Sequence, residues 1–316
     1  MTAVAQARDL LRWRSPLRTE LWASRIAASW SPDDGDEADA LLERAAKDGT
    51  QESLLLLAAL AALGVPEETA DRAGELPEWA GRMGRVRCEG AWYGKADPYG
   101  EQVLAVLAFR YENGKEPHLV VVAIDQVSGG LAVDALVEEP NFLDDLDLRE
   151  VAPDVVAGRV LDAFTLTDSV LGAATAETLA PVRSLVLARA RSIPGPVRRD
   201  DTVPGLPDLP DLPGAKEAFG KLAEFVGDRP LWWSPARVSQ FLTSWLPREA
   251  VLSDDAIAAM PEVVRAWTRF SGGAQEVLAR IDADAPKLPA LMADESLAGP
   301  AKRLGLLASR GDAPGT

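Results

Sequence analysis

Residues 86–137 read VRCEGAWYGKADPYGEQVLAVLAFRYENGKEPHLVVVAIDQVSGGLAVDALV, and the pattern within them decides the fold. Val86, Cys88, Gly90 and Trp92 alternate with Arg85, Arg87, Glu89 and Ala91, the period of two expected of a half-buried strand. Apolar runs follow at 103–109, 118–124 and 131–137. Glu112-Asn113-Gly114-Lys115 separates the first two of these, and Asn-Gly between apolar runs is the strongest short signal for a hairpin, because both residues tolerate positive φ. Ser128-Gly129-Gly130 supplies a second turn. The stretch therefore predicts a four-stranded antiparallel meander over about 85–137, with helices packed on one face.

Outward from the meander the period changes to helical. Helices are expected around 17–30, 37–47, 51–63 and 67–73, with Asp33, Asp34 and Asp36 opposing the dipole at the start of the second. Beyond the meander they are expected at 148–164 and 176–191, where Arg183, Arg189 and Arg191 would pair with an acidic surface. Residues 204–214, PGLPDLPDLPG, repeat proline every third position, which forbids a helix and favours an extended spacer. In the last third, Ser234-Pro235 and Ser253 read as helix N-caps. The stripes that follow them are Val238, Phe241, Leu242 and Trp245, then Ile257, Met260, Val263, Val264, Trp267 and Phe270. The expected fold class is α+β: an α+β domain over 1–203, a proline-rich linker at 204–214 and an all-α domain over 215–316.

Composition excludes several kinds of chemistry. The chain has 316 residues but one histidine, His118, and one cysteine, Cys88. A structural zinc needs about four nitrogen or sulfur ligands, which this chain does not hold. A formal net charge of -16 repels phosphate backbones and anionic headgroups, so neither nucleic acid nor a membrane surface is expected as a partner. The most apolar run, 54–64, would span only about 16 Å as a helix, half of a bilayer core. Without a paired cysteine or a signal-peptide layout at 1–8, the expected compartment is the cytoplasm. Gly90-x3-Gly94-Lys95 is one residue short of a phosphate-binding loop and is followed by Ala96 in place of a hydroxyl residue.

The candidate site residues are few. In Asp125-x3-Gly129-Gly130-x3-Asp134, a two-residue Gly-Gly turn would set both aspartates opposite one another, where they could share a hard divalent cation, with Glu138 or Glu139 assisting. Local bonding of each aspartate to turn amides is the competing expectation. Trp232-Trp233 is a candidate partner-binding anchor, with core packing as the alternative. His118 and Cys88 read as structural groups, the latter as a small hydrophobe in the apolar row.

The Gly-Gly hairpin and Trp245-Leu246-Pro247-Arg248 resemble segments of a functionally uncharacterised protein family of high-GC bacteria. The resemblance implies a bacterial cytoplasmic protein and assigns no activity or residue role. Function is therefore expected to be non-catalytic recognition or scaffolding of another protein, without a cofactor. A divalent-metal-assisted hydrolase using Asp125 and Asp134 is the alternative, and a small-molecule sensor with an interdomain pocket is a third reading.

Overall fold

The computed structural model describes residues 3–30, 35–65, 76–198 and 208–304. The chain divides into two compact units, one formed by 1–94 and 103–199 and the other by 95–102 and 200–316. The expected helices at 67–73, Asp33, Asp34 and the prolines at 204 and 207 lie outside the described residues.

In the first unit, the meander forms as its alternation demands: β1 (Val86–Lys95), β2 (Gln102–Tyr111), β3 (His118–Asp125) and β4 (Leu131–Glu138). The antiparallel sheet has order β4-β3-β2-β1-β5, so a fifth strand, β5 (Arg149–Glu150), joins the edge. It pairs Trp92 with Glu150 and Tyr93 with Arg149. Because 149–150 are extended, the next helix, α5 (Pro153–Ser169), starts at Pro153 rather than 148. That proline occupies the first helical turn, where its missing N–H costs nothing.

Among the described residues, four α-helices precede the sheet: α1 (Ala3–Trp13), α2 (Pro16–Ala28), α3 (Gly35–Asp48) and α4 (Gln51–Ala62). Helix α4 is almost uniformly apolar and packs against the other three, burying Leu55, Ala59 and Leu60 completely. With Leu10, Trp22, Trp79 and Leu185 they form one core cluster. Helices α5 and α6 (Leu179–Arg191) pack on β4, and α2 packs on α6. The opposite sheet face is also covered. There Val106, Leu119 and Val121 are buried beneath Phe142, Leu143 and Leu148 of the connection after β4.

The second unit is helical, with α7 (Ala215–Val226), α8 (Pro235–Gln240), a π-helical turn at Phe241–Trp245, α9 (Leu246–Glu249), α10 (Asp254–Phe270), α11 (Gln275–Asp284) and α12 (Leu288–Ala293). Ser234 and Ser253 cap α8 and α10, accepting the N–H groups of Arg237 and Ala256 at 3.2 Å. The expected stripes meet as a core of Phe219, Leu222, Val238, Phe241, Met260, Val263 and Trp267. Residues 95–102 belong to this unit as well: the Trp233 N–H donates to the Tyr99 carbonyl at 2.8 Å. The described part of the proline-rich stretch, 208–214, is packed in the same way. Leu209 lies against the core, and a Cβ at Gly214 would come within 2.3 Å of the Ala256 nitrogen.

Candidate functional site

The two aspartates of the Gly-Gly hairpin are not cross-strand partners. A loop over 126–130, rather than a two-residue Gly-Gly turn, joins the strands, so Asp134 faces Ala123 and, past a β-bulge between Ala123 and Ile124, Asp125 faces Leu131. Each carboxylate bonds locally instead. Asp125 accepts the Val127 N–H at 3.0 Å and the Ser128 hydroxyl at 2.5 Å, and its carbonyl closes the turn by accepting from Gly130 at 2.8 Å. Asp134 accepts the Thr178 hydroxyl. Among the described residues, no group of three or more His, Cys, Asp or Glu gathers to hold a metal ion.

The expected tryptophan anchor is buried. Trp233 donates its indole N–H to Thr268 at 2.8 Å inside the core. Trp232 lies 4.2 Å from the Arg237 guanidinium, which is held on its other side 3.8 Å from the Phe225 ring. Burial and the neighbouring Arg229 lower the pKa of Arg237 to about 10. Both tryptophans thus serve the packing of the second unit. Cys88 is half-buried, and burial pushes its thiol up, away from the reactive thiolate.

The polar chemistry of the first unit is concentrated where four elements meet. Glu20 of α2, Tyr111 of β2, His118 of β3 and Arg189 of α6 are each at most 2% exposed. The Glu20 carboxylate accepts from Arg189 at 2.5 Å, from the Tyr111 hydroxyl, and from the Gly84 N–H at 2.5 Å. Arg189 also donates to Tyr111 at 3.0 Å and, through Nε, to His118 Nε2 at 3.1 Å. His118 Nδ1 then donates to the Glu116 carbonyl at 2.8 Å, which fixes the ring as the neutral Nδ1–H tautomer. Burial, then the charge of Arg189, lowers the His118 pKa to about 4. Tyr111 is held protonated by burial and by the Glu20 charge. Burial alone would lower Arg189, but Glu20 and Tyr111 carry it upward. Arg189, expected at the surface, is thus the buried cation of the unit.

Glu116 connects this network to a cleft of about 660 Å³. Trp13 and Arg14 enter it from the end of α1, Ser15 from the start of α2, Trp79 and Arg82 from the segment before β1, and Lys115 with Glu116 from the β2–β3 turn. Glu116 joins the two layers: its carbonyl receives His118, while its carboxylate accepts the Ser15 hydroxyl and the Leu17 N–H at 3.4 Å. Among the described residues, Arg14 (φ 54°) and Glu116 (φ 48°) are the two non-glycine residues with positive φ, and both line this cleft. Such conformations cost about 1–3 kcal/mol each and cluster where the surroundings fix a functional geometry.

The charges in the cleft are unequally matched. Glu116 is engaged in capping α2, and Glu78 pairs with Arg82 at 3.3 Å on the exposed rim. The Arg14 and Lys115 side chains are exposed and have no hydrogen-bond or ion-pair partner among the described residues. The buried Trp79 Nε1 likewise has no hydrogen-bond partner among the described residues. Helices α2 and α4 begin at the rim, so their positive ends add to the field. An anionic group fits this arrangement. One sequence signal could have pointed to it: between 8 and 25 stand Arg8, Arg12, Arg14, Arg18 and Arg25 against Asp9 and Glu20, a basic stretch around Trp13 in an acidic chain.

No protein-family model, curated protein or solved structure matches the chain.

Proposed function

We propose that this chain is a non-catalytic recognition protein whose first unit holds an acidic segment of another protein in the cleft between Trp13 and Lys115. The observation that carries the reading is a charge inversion. In a chain of net charge -16, one aromatic-walled cleft presents Arg14 and Lys115, two cations with no hydrogen-bond or ion-pair partner among the described residues. Carboxylates of a partner would meet Arg14 and Lys115 directly, and the negative charge of the rest of the chain disfavours an acidic segment elsewhere. The side chains with catalytic potential are committed to other contacts: His118 as a fixed donor and acceptor, Asp125 to its own turn, Asp134 to Thr178. This supports holding over transforming.

The test is affinity purification from the native host with the full-length chain, comparing wild type with the Arg14→Glu, Lys115→Glu double variant. Both positions are exposed, so the variant should fold normally. An acidic partner retained by wild type and lost by the double variant is the expected result. Recovery of the bare monomer from both, or of the same partner by both, would end this reading.

A further inference from the structure

A second depression adjoins the cleft. It measures about 320 Å³, lies between α1 and α2, and is walled by Leu10, Leu21 and Trp22 with Arg18 and Arg25 at its edge. Trp13 lines both depressions, is 60% exposed, and carries the Arg18 guanidinium 5.1 Å from its ring centre. The floor of the groove is fixed, because the Trp22 indole N–H donates to Gln6 at 2.8 Å and the Trp22 ring is buried. The two depressions differ in chemistry: the cleft is lined mostly by polar and charged side chains, whereas the groove has an apolar floor and a basic margin.

Together they carry Arg14, Arg18, Arg25, Arg82 and Lys115 against Asp9, Glu78 and Glu116. Two of those three carboxylates are already engaged, Glu78 by Arg82 and Glu116 by Ser15 and Leu17. A small anion would satisfy the cleft and leave the groove empty, and an uncharged apolar segment would do the reverse. A peptide satisfies both, since its side chains can place carboxylates on one side of Trp13 and an apolar group on the other.

We propose, resting on the acidic-partner reading above, that the bound segment is a peptide with one large apolar side chain flanked by carboxylates, lying astride Trp13. The carboxylates meet Arg14 and Lys115 in the cleft, and the apolar side chain enters the groove over Trp22. Trp13 is the shared wall and sets the spacing between the two.

The test uses the full-length chain and fluorescently labelled synthetic peptides followed by anisotropy: a glutamate-flanked leucine peptide, the same peptide with leucine replaced by serine, and the same peptide with glutamates replaced by glutamine. The leucine peptide should bind, and the serine version should bind about tenfold more weakly, a difference of about 1.4 kcal/mol. The glutamine version should not bind. Trp13→Ala should weaken the leucine peptide and narrow its advantage over the serine peptide, and Arg14→Glu with Lys115→Glu should abolish binding. Equal affinity for leucine and serine peptides overturns the two-part site. If the double variant still loses its acidic partner in that case, the recognition reading stands without it. Failure of every peptide to bind, displacement of the leucine peptide by inorganic pyrophosphate, or binding to phosphatidylglycerol vesicles that Arg14→Glu abolishes, likewise overturns the peptide proposal. The latter two outcomes would assign the cleft to a free phosphate or to a lipid headgroup.

Discussion

Glu20 and Arg189 stand 169 residues apart and share a salt bridge with both side chains at most 1% exposed. Removing one member strands a buried charge, so Glu20→Ala should destabilise the first unit by about 3–5 kcal/mol. The matched Glu20→Met, Arg189→Met pair should cost far less, with urea denaturation as the measurement. His118 adds a pH dependence of definite sign. Its folded pKa, about 4, lies below the unfolded value of about 6.5, so between them the unfolded chain binds the extra proton. This contribution is fully present above about pH 6.5 and is lost as the pH falls toward 4. His118→Phe should flatten the stability slope in that window by one proton, measured by urea midpoints at successive pH values. An unchanged slope would show that His118 is not the group responsible. Of these four residues, the sequence singled out His118 and offered no partner for it. Arg189 read as a surface cation because its spacing along α6 says nothing of what lies across the unit.

At the scale of elements, the local rules were largely legible. Asn113-Gly114 and Gly129-Gly130 mark their turns, with both hairpin glycines of the second at φ 102°, and Ser234 and Ser253 cap the helices they were expected to cap. Ser253→Ala should cost about 1–2 kcal/mol, because the hydroxyl also donates to Glu217 at 2.6 Å, and a thermal melt would register it. Helices α1, α7, α11 and α12 and strand β5 were not read from the sequence, and for two of these the physical reason is plain. On α1 the buried core residues among the described side chains are Ala7 and Leu10, set among Arg8, Asp9 and Arg12, and the helix packs on α4. β5 is two residues long and both are exposed, so it has no alternation to read; it exists because β1 offers it an edge. The length of the turn changed the site most: residues 126–130 join β3 to β4 where a two-residue Gly-Gly turn was expected, and the bulge at Ala123/Ile124 adds one further step of register, so Asp125 and Asp134 are not opposite one another.

For the molecule as a whole, the proline-rich stretch pointed to a two-part organisation, but not to a discontinuous one. Residues 95–102 belong to the second unit, where Gly100 sits at φ 69° and a Cβ would lie 2.0 Å from the Leu231 carbonyl oxygen. A fragment of 200–316 should therefore unfold at lower denaturant than the same unit in the intact chain, by circular dichroism. Gly100→Ala in the intact chain should lower the stability of that unit as well. Net charge gives a further expectation for the whole protein. Partner binding through Arg14 and Lys115 should weaken steeply as salt rises from about 0.1 to 1 M, because the screening length shrinks from about 10 to 3 Å. Salt-insensitive binding would place the contact elsewhere.

The sequence by itself determined the four strands of the meander, where its turns fall, the caps at Ser234 and Ser253 and the acid excess, because each depends on neighbours a few residues away, where periodicity and φ preference act. Tertiary structure alone decided which charges are neutralised and which are left facing solvent. Arg189 and Arg14 are the same residue type at the ends of helices, yet one is buried against Glu20 and the other is exposed at the mouth of a cleft with no partner among the described residues. Coulomb energy depends on separation in space and on local dielectric, and neither quantity is written in the order of the residues.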